Sequence, residues 1–221
     1  MNRQTGTAVD ESGRAYLPPM GRKWLLPLYD PITRLLGARA IHRRLLAQAG
    51  LRPGQQVLEI GCGTGNLLLE AAGTAGVTAI GLDPDRSAVA RAGRKARRRG
   101  LTVRLDHGFA DDLPYPDGSI DVVLSAFMLH HLPAGEREQA MREVHRVLRA
   151  GGELHLVDLG GHVHPGDGWI AHRARGNAIL RDNFDESIPD LLRRAGFDGV
   201  AETGTDVRRR VGRFTFYRAV R

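Results

Sequence analysis

The chain has 221 residues, 42% of them hydrophobic and 26% charged, with a formal net charge of +7. This is the composition of a soluble globular protein with one large domain or at most two small ones. It excludes a membrane span, which needs an apolar run of roughly 18 residues; a lone cysteine, Cys62, excludes an internal disulfide framework and fits a reducing, cytoplasmic setting.

The first twenty residues carry acids and no apolar stretch, so 1–20 reads as a mobile arm and not a secretory signal. Residues 21–221 read as a single domain, because no internal repeat or long linker divides them. Within it, 21–50 is a helical lid segment, 51–160 the core, and 161–221 a substrate loop followed by a hairpin. Ile32, Leu35, Leu36, Ala40, Ile41, Leu45, Leu46 and Ala49 recur at three- and four-residue steps, which predicts a helix closed by Gly50. Strand-like runs at Val57–Ile60, Val77–Leu82, Val103–Leu105, Ile120–Phe127 and Glu153–Asp158 then alternate with helical stretches at Asn66–Ala75, Arg86–Arg99, Glu136–Arg149 and Phe184–Ala195. Such alternation implies a parallel sheet covered on both faces. At the end, "VAETGTDVRRRVGRFTFYRAV" sets two strand-like runs together, which suits an antiparallel hairpin at a sheet edge. The fold class is therefore α/β, doubly wound, with a mostly parallel seven-stranded sheet and a C-terminal antiparallel hairpin.

"EIGCGTG", Glu59 to Gly65, lies between the first strand and the first core helix, where open α/β sheets bind ligands. Glycines there let backbone N–H groups approach a guest, and a helix N-terminus favours negative charge. A dinucleotide loop needs G-x-G-x-x-G, but counting from Gly61 puts Asn66 at the third glycine position. A P-loop needs Gly-Lys-Ser/Thr, which is missing.

Four segments in order, "VLEIGCGTGN", "AIGLDPD", "ADDLPYPDGSIDVV" and "MREVHRVLRAGGELHLVD", resemble the class I, Rossmann-like S-adenosylmethionine-dependent methyltransferases. The likeness is strongest to the group that includes ubiquinone/menaquinone biosynthesis C-methyltransferases and small-molecule methyltransferases. It implies S-adenosyl-L-methionine as cofactor and a small-molecule acceptor at oxygen, nitrogen or carbon. By this resemblance Asp83 is the ribose ligand, with Pro84 beside it in the cofactor site, and Gly61, Cys62 and Gly63 line the methionine part with Gly65 closing the turn. Glu59 steadies the loop or the ammonium group, and Tyr29 touches the cofactor carboxylate. Asp83 read alone could also cap the helix that opens at Pro84. Cys62, inside the turn, reads as packing and not as a nucleophile. Phe109 stands where the family often has an Asp reaching the adenine amino group; it is expected against the adenine ring, with Ala110 or Asp111 reading the edge.

The fourth strand should carry Ser125, Ala126 and Phe127 past the methionine moiety, with His130 and His131 near the acceptor. Imidazole suits an acceptor that must lose a proton; the alternative for either residue is a structural histidine bonding a carbonyl. His162, His164 and Asp167, near His155, Asp158 and His172, have zinc- or iron-like chemistry, but a substrate loop is the preferred reading and no metal is assigned. Seven basic residues between Arg86 and Arg99 read as a solvated helix face, and nucleic acid is not favoured. Trp24, Leu25 and Leu26 beside Arg22 and Lys23 suit either a lid or peripheral contact with an anionic membrane, as a lipid N-methyltransferase would need. A protein that binds the cofactor without catalysis is the remaining alternative.

Overall fold

The computed structural model describes residues 8–9, 13–16, 30–31, 33, 35, 37–74, 76–159, 188–208 and 212–221. Tyr29, the Trp24 segment, and His162, His164, Asp167 and His172 lie outside the described residues. So does the start of the helix expected from Phe184.

Seven strands form one sheet: β1 Gln56–Ile60, β2 Thr78–Asp83, β3 Arg104–His107, β4 Ile120–Ala126, β5 Leu148–Leu159, β6 Asp198–Arg208 and β7 Gly212–Val220. Their order is β3-β2-β1-β4-β5-β7-β6. The first five pair in parallel, whereas β7 runs antiparallel to both β5 and β6. The doubly wound sheet with its terminal hairpin is therefore as read from the sequence. Helices α1 Ala38–Ala49, α2 Asn66–Ala71, α3 Arg86–Arg98, α4 Ala134–Val147 and α5 Ile188–Arg194 connect and cover it.

Strand side chains alternate between faces, so each central strand feeds two cores. On one face Leu58, Ile60, Ile80, Leu82 and Val123 pack with Met141 and Val144 of α4 and Leu191 and Leu192 of α5. On the other Val57, Val122, Leu124 and Val157 pack with Ile41 and Leu45 of α1, Leu67 of α2, and Phe214 and Phe216 of β7. The four-residue step from Ile41 to Leu45 puts both on one stripe of α1, and each fully buried aliphatic chain contributes about 1.5–3 kcal/mol.

Several boundaries differ from expectation by a few residues, and two have a clear local cause. The periodic pattern from Ile32 to Ala49 does not make one helix, because Gly37 adopts φ +82° and α1 starts at Ala38. Its other end is as expected: Gly50, at φ +53°, donates its N–H to the Leu46 carbonyl. The helix expected to run to Arg149 ends at Val147, and Leu148 already pairs with Ile120 as the start of β5.

The glycines after β1 have separate reasons. A Cβ on Gly61 would press into the Met128 side chain, 2.8 Å from its Cβ, and one on Gly65 would lie 2.9 Å from the Ala92 Cβ. Among the described residues a Cβ on Gly63 would meet nothing within 4 Å, although its φ is +51°. Two positions are thus closed by the protein's own packing and one is open on the ligand side. Gly61→Ala is expected to destabilise the fold by about 1–3 kcal/mol through overpacking, whereas Gly63→Ala keeps the core and weakens cofactor binding. Thermal melts with and without S-adenosylhomocysteine check this; equal losses of stability in the two variants would contradict it.

Candidate active site

The sheet order reverses at β1, with β2 on one side and β4 on the other, and that is where such sheets open a crevice. A cavity of about 260 Å³ lies there. Glu59, the Gly61–Cys62–Gly63–Thr64 turn and Asn66 form one wall; Ala126, Phe127, His130, His131 and Leu159 form another; Thr33, Ala38, Ile41 and His42 close it from the segment before the sheet.

Asp83 ends β2 and reaches back to the turn. Its Oδ2 accepts the Gly63 N–H at 2.7 Å and its Oδ1 accepts the Asp85 N–H at 2.8 Å. Burial pushes its pKa up to about 6, against the lowering effect of those two bonds. A carboxylate offers about four acceptor sites, so two bonds leave capacity for hydroxyl donors. Helix capping is done elsewhere: Asp85, not Asp83, caps α3 by accepting the Ser87 N–H at 2.8 Å.

Glu59 alternates with Leu58 and Ile60 and so stands on the α1 face, buried, in the cavity wall. Its Oε2 has no partner among the described residues. Burial raises its pKa well above the ordinary carboxylate value, and the nearby Asp83 charge adds to this. A buried, unsatisfied acid facing a cavity is suited to a cationic guest, and the ammonium of S-adenosylmethionine fits that need. Cys62 is also buried; burial, then Asp83 and Glu59, hold the thiol protonated. It packs and is not a nucleophile.

The two histidines separate clearly. Fully buried Asp158 accepts the Leu129 N–H at 2.8 Å and the Leu159 N–H at 2.7 Å, and its Oδ1 lies 2.6 Å from His130 Nδ1. A carboxylate only accepts, so Nδ1 carries the hydrogen and Nε2 becomes the basic nitrogen. The ring of His131, an exposed residue, lies 4.1 Å from that of His130 at a tilt of 37°; desolvation of the imidazole on its His130 side, then His130 itself, lower its pKa to about 4. Neighbouring Phe127 sits at φ +55°, the lone positive φ of a non-glycine residue among those described. Such strain is costly and gathers at functional sites.

Ser125 departs from expectation. Strand alternation turns Ala126 toward the cavity and Ser125 to the opposite face, where its hydroxyl is fully buried and has no partner among the described residues. Pro84, Ala110 and Asp111 lie beyond this cavity, along the ends of β2 and β3; His107 Nε2 is 3.1 Å from the Pro84 carbonyl oxygen and Ala110 is buried.

Sequence reasoning missed three features. Asp158 was noticed only as a possible metal ligand; among the described residues no group of three His, Cys, Asp or Glu could hold a metal ion. His42 on α1 lines the cavity, its pKa lowered to about 4 by burial and then by Lys95. Asp30 accepts from Thr64 Oγ1 at 2.5 Å, Asn66 Nδ2 at 2.9 Å, Arg91 Nε at 3.1 Å and Lys95 Nζ at 3.3 Å. Lys95 also donates to the Thr64 carbonyl at 2.8 Å and to Asn66 Oδ1 at 2.5 Å. This ion cluster fastens the segment before the sheet onto the glycine turn. One signal existed: Lys95 is one of only two lysines in an arginine-rich chain.

Residues 57–152 match the family model described as a methyltransferase domain. The chain is 38% identical over 118 residues to 27-O-demethylrifamycin SV methyltransferase of Amycolatopsis mediterranei, covering 52% of this chain and 43% of that one. It is 37% identical over 141 residues to demethylmenaquinone methyltransferase of Thermus thermophilus, covering 61% and 62%. Among solved structures, the [4+2]-cyclase SpnF aligns with a TM-score of 0.62 at 29% identity, covering 75% and 60%. The chain thus spans less than two thirds of the length of each of these proteins. With the fold and turn above, residues 57–152 are similar to a methyltransferase domain, within a chain that shares the fold of the solved structure.

Protonation of Asp83 competes with the hydroxyl donors it would hold, so acid should weaken binding. The affinity for S-adenosylhomocysteine is expected to fall as pH drops through about 6, approaching about tenfold per unit, with Asp83→Asn leaving only the part of the dependence that Glu59 contributes. A flat wild-type profile between pH 7 and pH 5, by calorimetry, would contradict this.

Proposed function

We propose that this protein transfers a methyl group from S-adenosylmethionine to a small-molecule hydroxyl, with His130 as the general base. The observation that carries this reading is the 2.6 Å contact between fully buried Asp158 and His130 Nδ1 on the wall of the cavity that Glu59 and Gly61–Gly63 also line.

Bound S-adenosylmethionine supplies an electrophilic methyl group on a sulfonium. This chain's residues hold it and prepare the acceptor. Asp83 takes the ribose hydroxyls, Glu59 the ammonium, and Gly63 leaves open the space a side chain would fill. Ala110, Asp111 and Phe109, beyond the end of β3, take the adenine. Asp158 fixes the tautomer of His130, which accepts the acceptor's proton as the new bond forms. An oriented base favours an acceptor that must lose a proton, hence a hydroxyl over a tertiary amine. The name of the rifamycin relative also specifies an oxygen acceptor. Buried His42 and the exposed His131 beside His130 shape the cavity. Much of the acceleration comes from alignment of nucleophile and methyl carbon.

A second reading has one observation in its favour, the 29% identity to a [4+2]-cyclase. There the same cofactor cradle would serve a protein that transfers no methyl group. Formation of S-adenosylhomocysteine across a panel of alcohols and phenols separates the two, because only transfer releases it.

His130→Ala and Asp158→Asn are expected to lower kcat by about 10²–10⁴ while leaving S-adenosylhomocysteine affinity nearly unchanged, and His131→Ala to cost far less. Steady-state kinetics with parallel calorimetry check this. Undiminished turnover in His130→Ala would overturn the assignment of the base.

A further inference from the structure

The arm before the domain holds a small hairpin. Ala8 pairs with Tyr16 and Val9 with Ala15, antiparallel, and the chain turns through Gly13 at φ +83°. Arg14 leaves this turn and crosses to the loop after β3. Its guanidinium carbon lies 4.0 Å from the centre of the Phe109 ring, and its Nη2 donates to Asp111 Oδ2 at 2.6 Å.

Those two partners are the ones that a purine needs. Adenine offers a flat π face and an amino group on its edge that donates a hydrogen bond. A guanidinium is likewise planar, stacks on aromatic rings and donates from its edge. A nucleoside whose ribose sits on Asp83, at the end of β2, has its base over the end of the neighbouring strand β3, where Gly108, Phe109, Ala110 and Asp111 follow. A 4.0 Å separation is one stacking layer, so no ring fits between Arg14 and Phe109.

We propose that Arg14 is a built-in occupant of the adenine subsite, so that the arm's hairpin must swing away before the cofactor can seat its base. The inference rests on the reading that adenine lies at Phe109–Asp111. Arg14 and adenine exclude one another on this face of Phe109, and the apparent affinity for the cofactor is reduced by the fraction of molecules whose arm is open. The same contact re-forming behind the departing base would speed release of the demethylated product. Arg14 is a surface residue with a side chain 39% exposed, so its removal leaves the core intact.

Calorimetric titration of the full chain and of Arg14→Ala, with S-adenosylhomocysteine and with adenosine, tests the proposal. The variant is expected to bind both about 3- to 10-fold more tightly, since both carry the competing base. Unchanged or weaker binding by Arg14→Ala would overturn it, weaker binding meaning that Arg14 instead clamps the bound base. A gain for S-adenosylhomocysteine without one for adenosine would also overturn it. Asp83→Ala, measured in the same series, separates the failures: lost binding there supports the nucleoside site itself, whereas undiminished binding overturns that site and the proposal with it.

Discussion

The carboxylate of Asp83 holds together the parts from which the rest of the site is built. It takes one N–H from the glycine turn after β1 and one from the residue that caps α3, at 2.7 and 2.8 Å. The turn is thereby fixed against the end of β2, and α3 is aimed from the same point. Bonds to a charged acceptor are worth about 1.5–3 kcal/mol each, and here they are made in a buried position that pushes the acid's pKa up to about 6. The group is thus poised: ionised enough at neutral pH to organise backbone donors, and short enough of partners to gain from further hydroxyls.

From that anchor the site follows by strand alternation. Because Val57 faces α1, Glu59 does too, and an acid arrives in the wall of an otherwise apolar layer. Along β4 the same rule brings Ala126 to the cavity and buries Ser125 on the far face. At the end of β5 it puts Asp158 under the turn that carries His130. The strained Phe127 marks the junction between strand and turn; its N–H is held by the Val157 carbonyl at 2.8 Å, and its ring packs edge-on against Phe214. Fixed strands therefore deliver both the cofactor-side acids and the acceptor-side base. The ion cluster around Asp30 adds a third element, tying Asp30 to the glycine turn and to α3.

The sheet was legible because its signals are local: β-branched runs, glycine punctuation and helical periodicity agree from Val57 to Val147. The place of the turn after the first strand was legible because spacing along one chain carries it, whereas the role given to Asp83 came from the family resemblance. The Asp158–His130 pair was not, since it joins residues 28 apart that meet only when β4 and β5 lie side by side. The facing of the Ser125 side chain was not legible for the opposite reason: neighbours in sequence point to opposite faces, and the phase of β4 is set by its packing. The break at Gly37 was hidden by an apolar pattern that continues through it. The Asp30–Lys95 and Arg14–Asp111 contacts span 65 and 97 residues, and charge composition alone could not pair them.

The proposed function requires the turn from Gly61 to Gly65, braced by Asp83, to accept a sulfonium nucleoside and not a pyrophosphate. Calorimetric titration of one protein preparation with S-adenosylhomocysteine and with NAD tests it most directly. Saturable one-to-one uptake of the first with no heat from the second is the expected result; uptake of NAD without any of S-adenosylhomocysteine would contradict it.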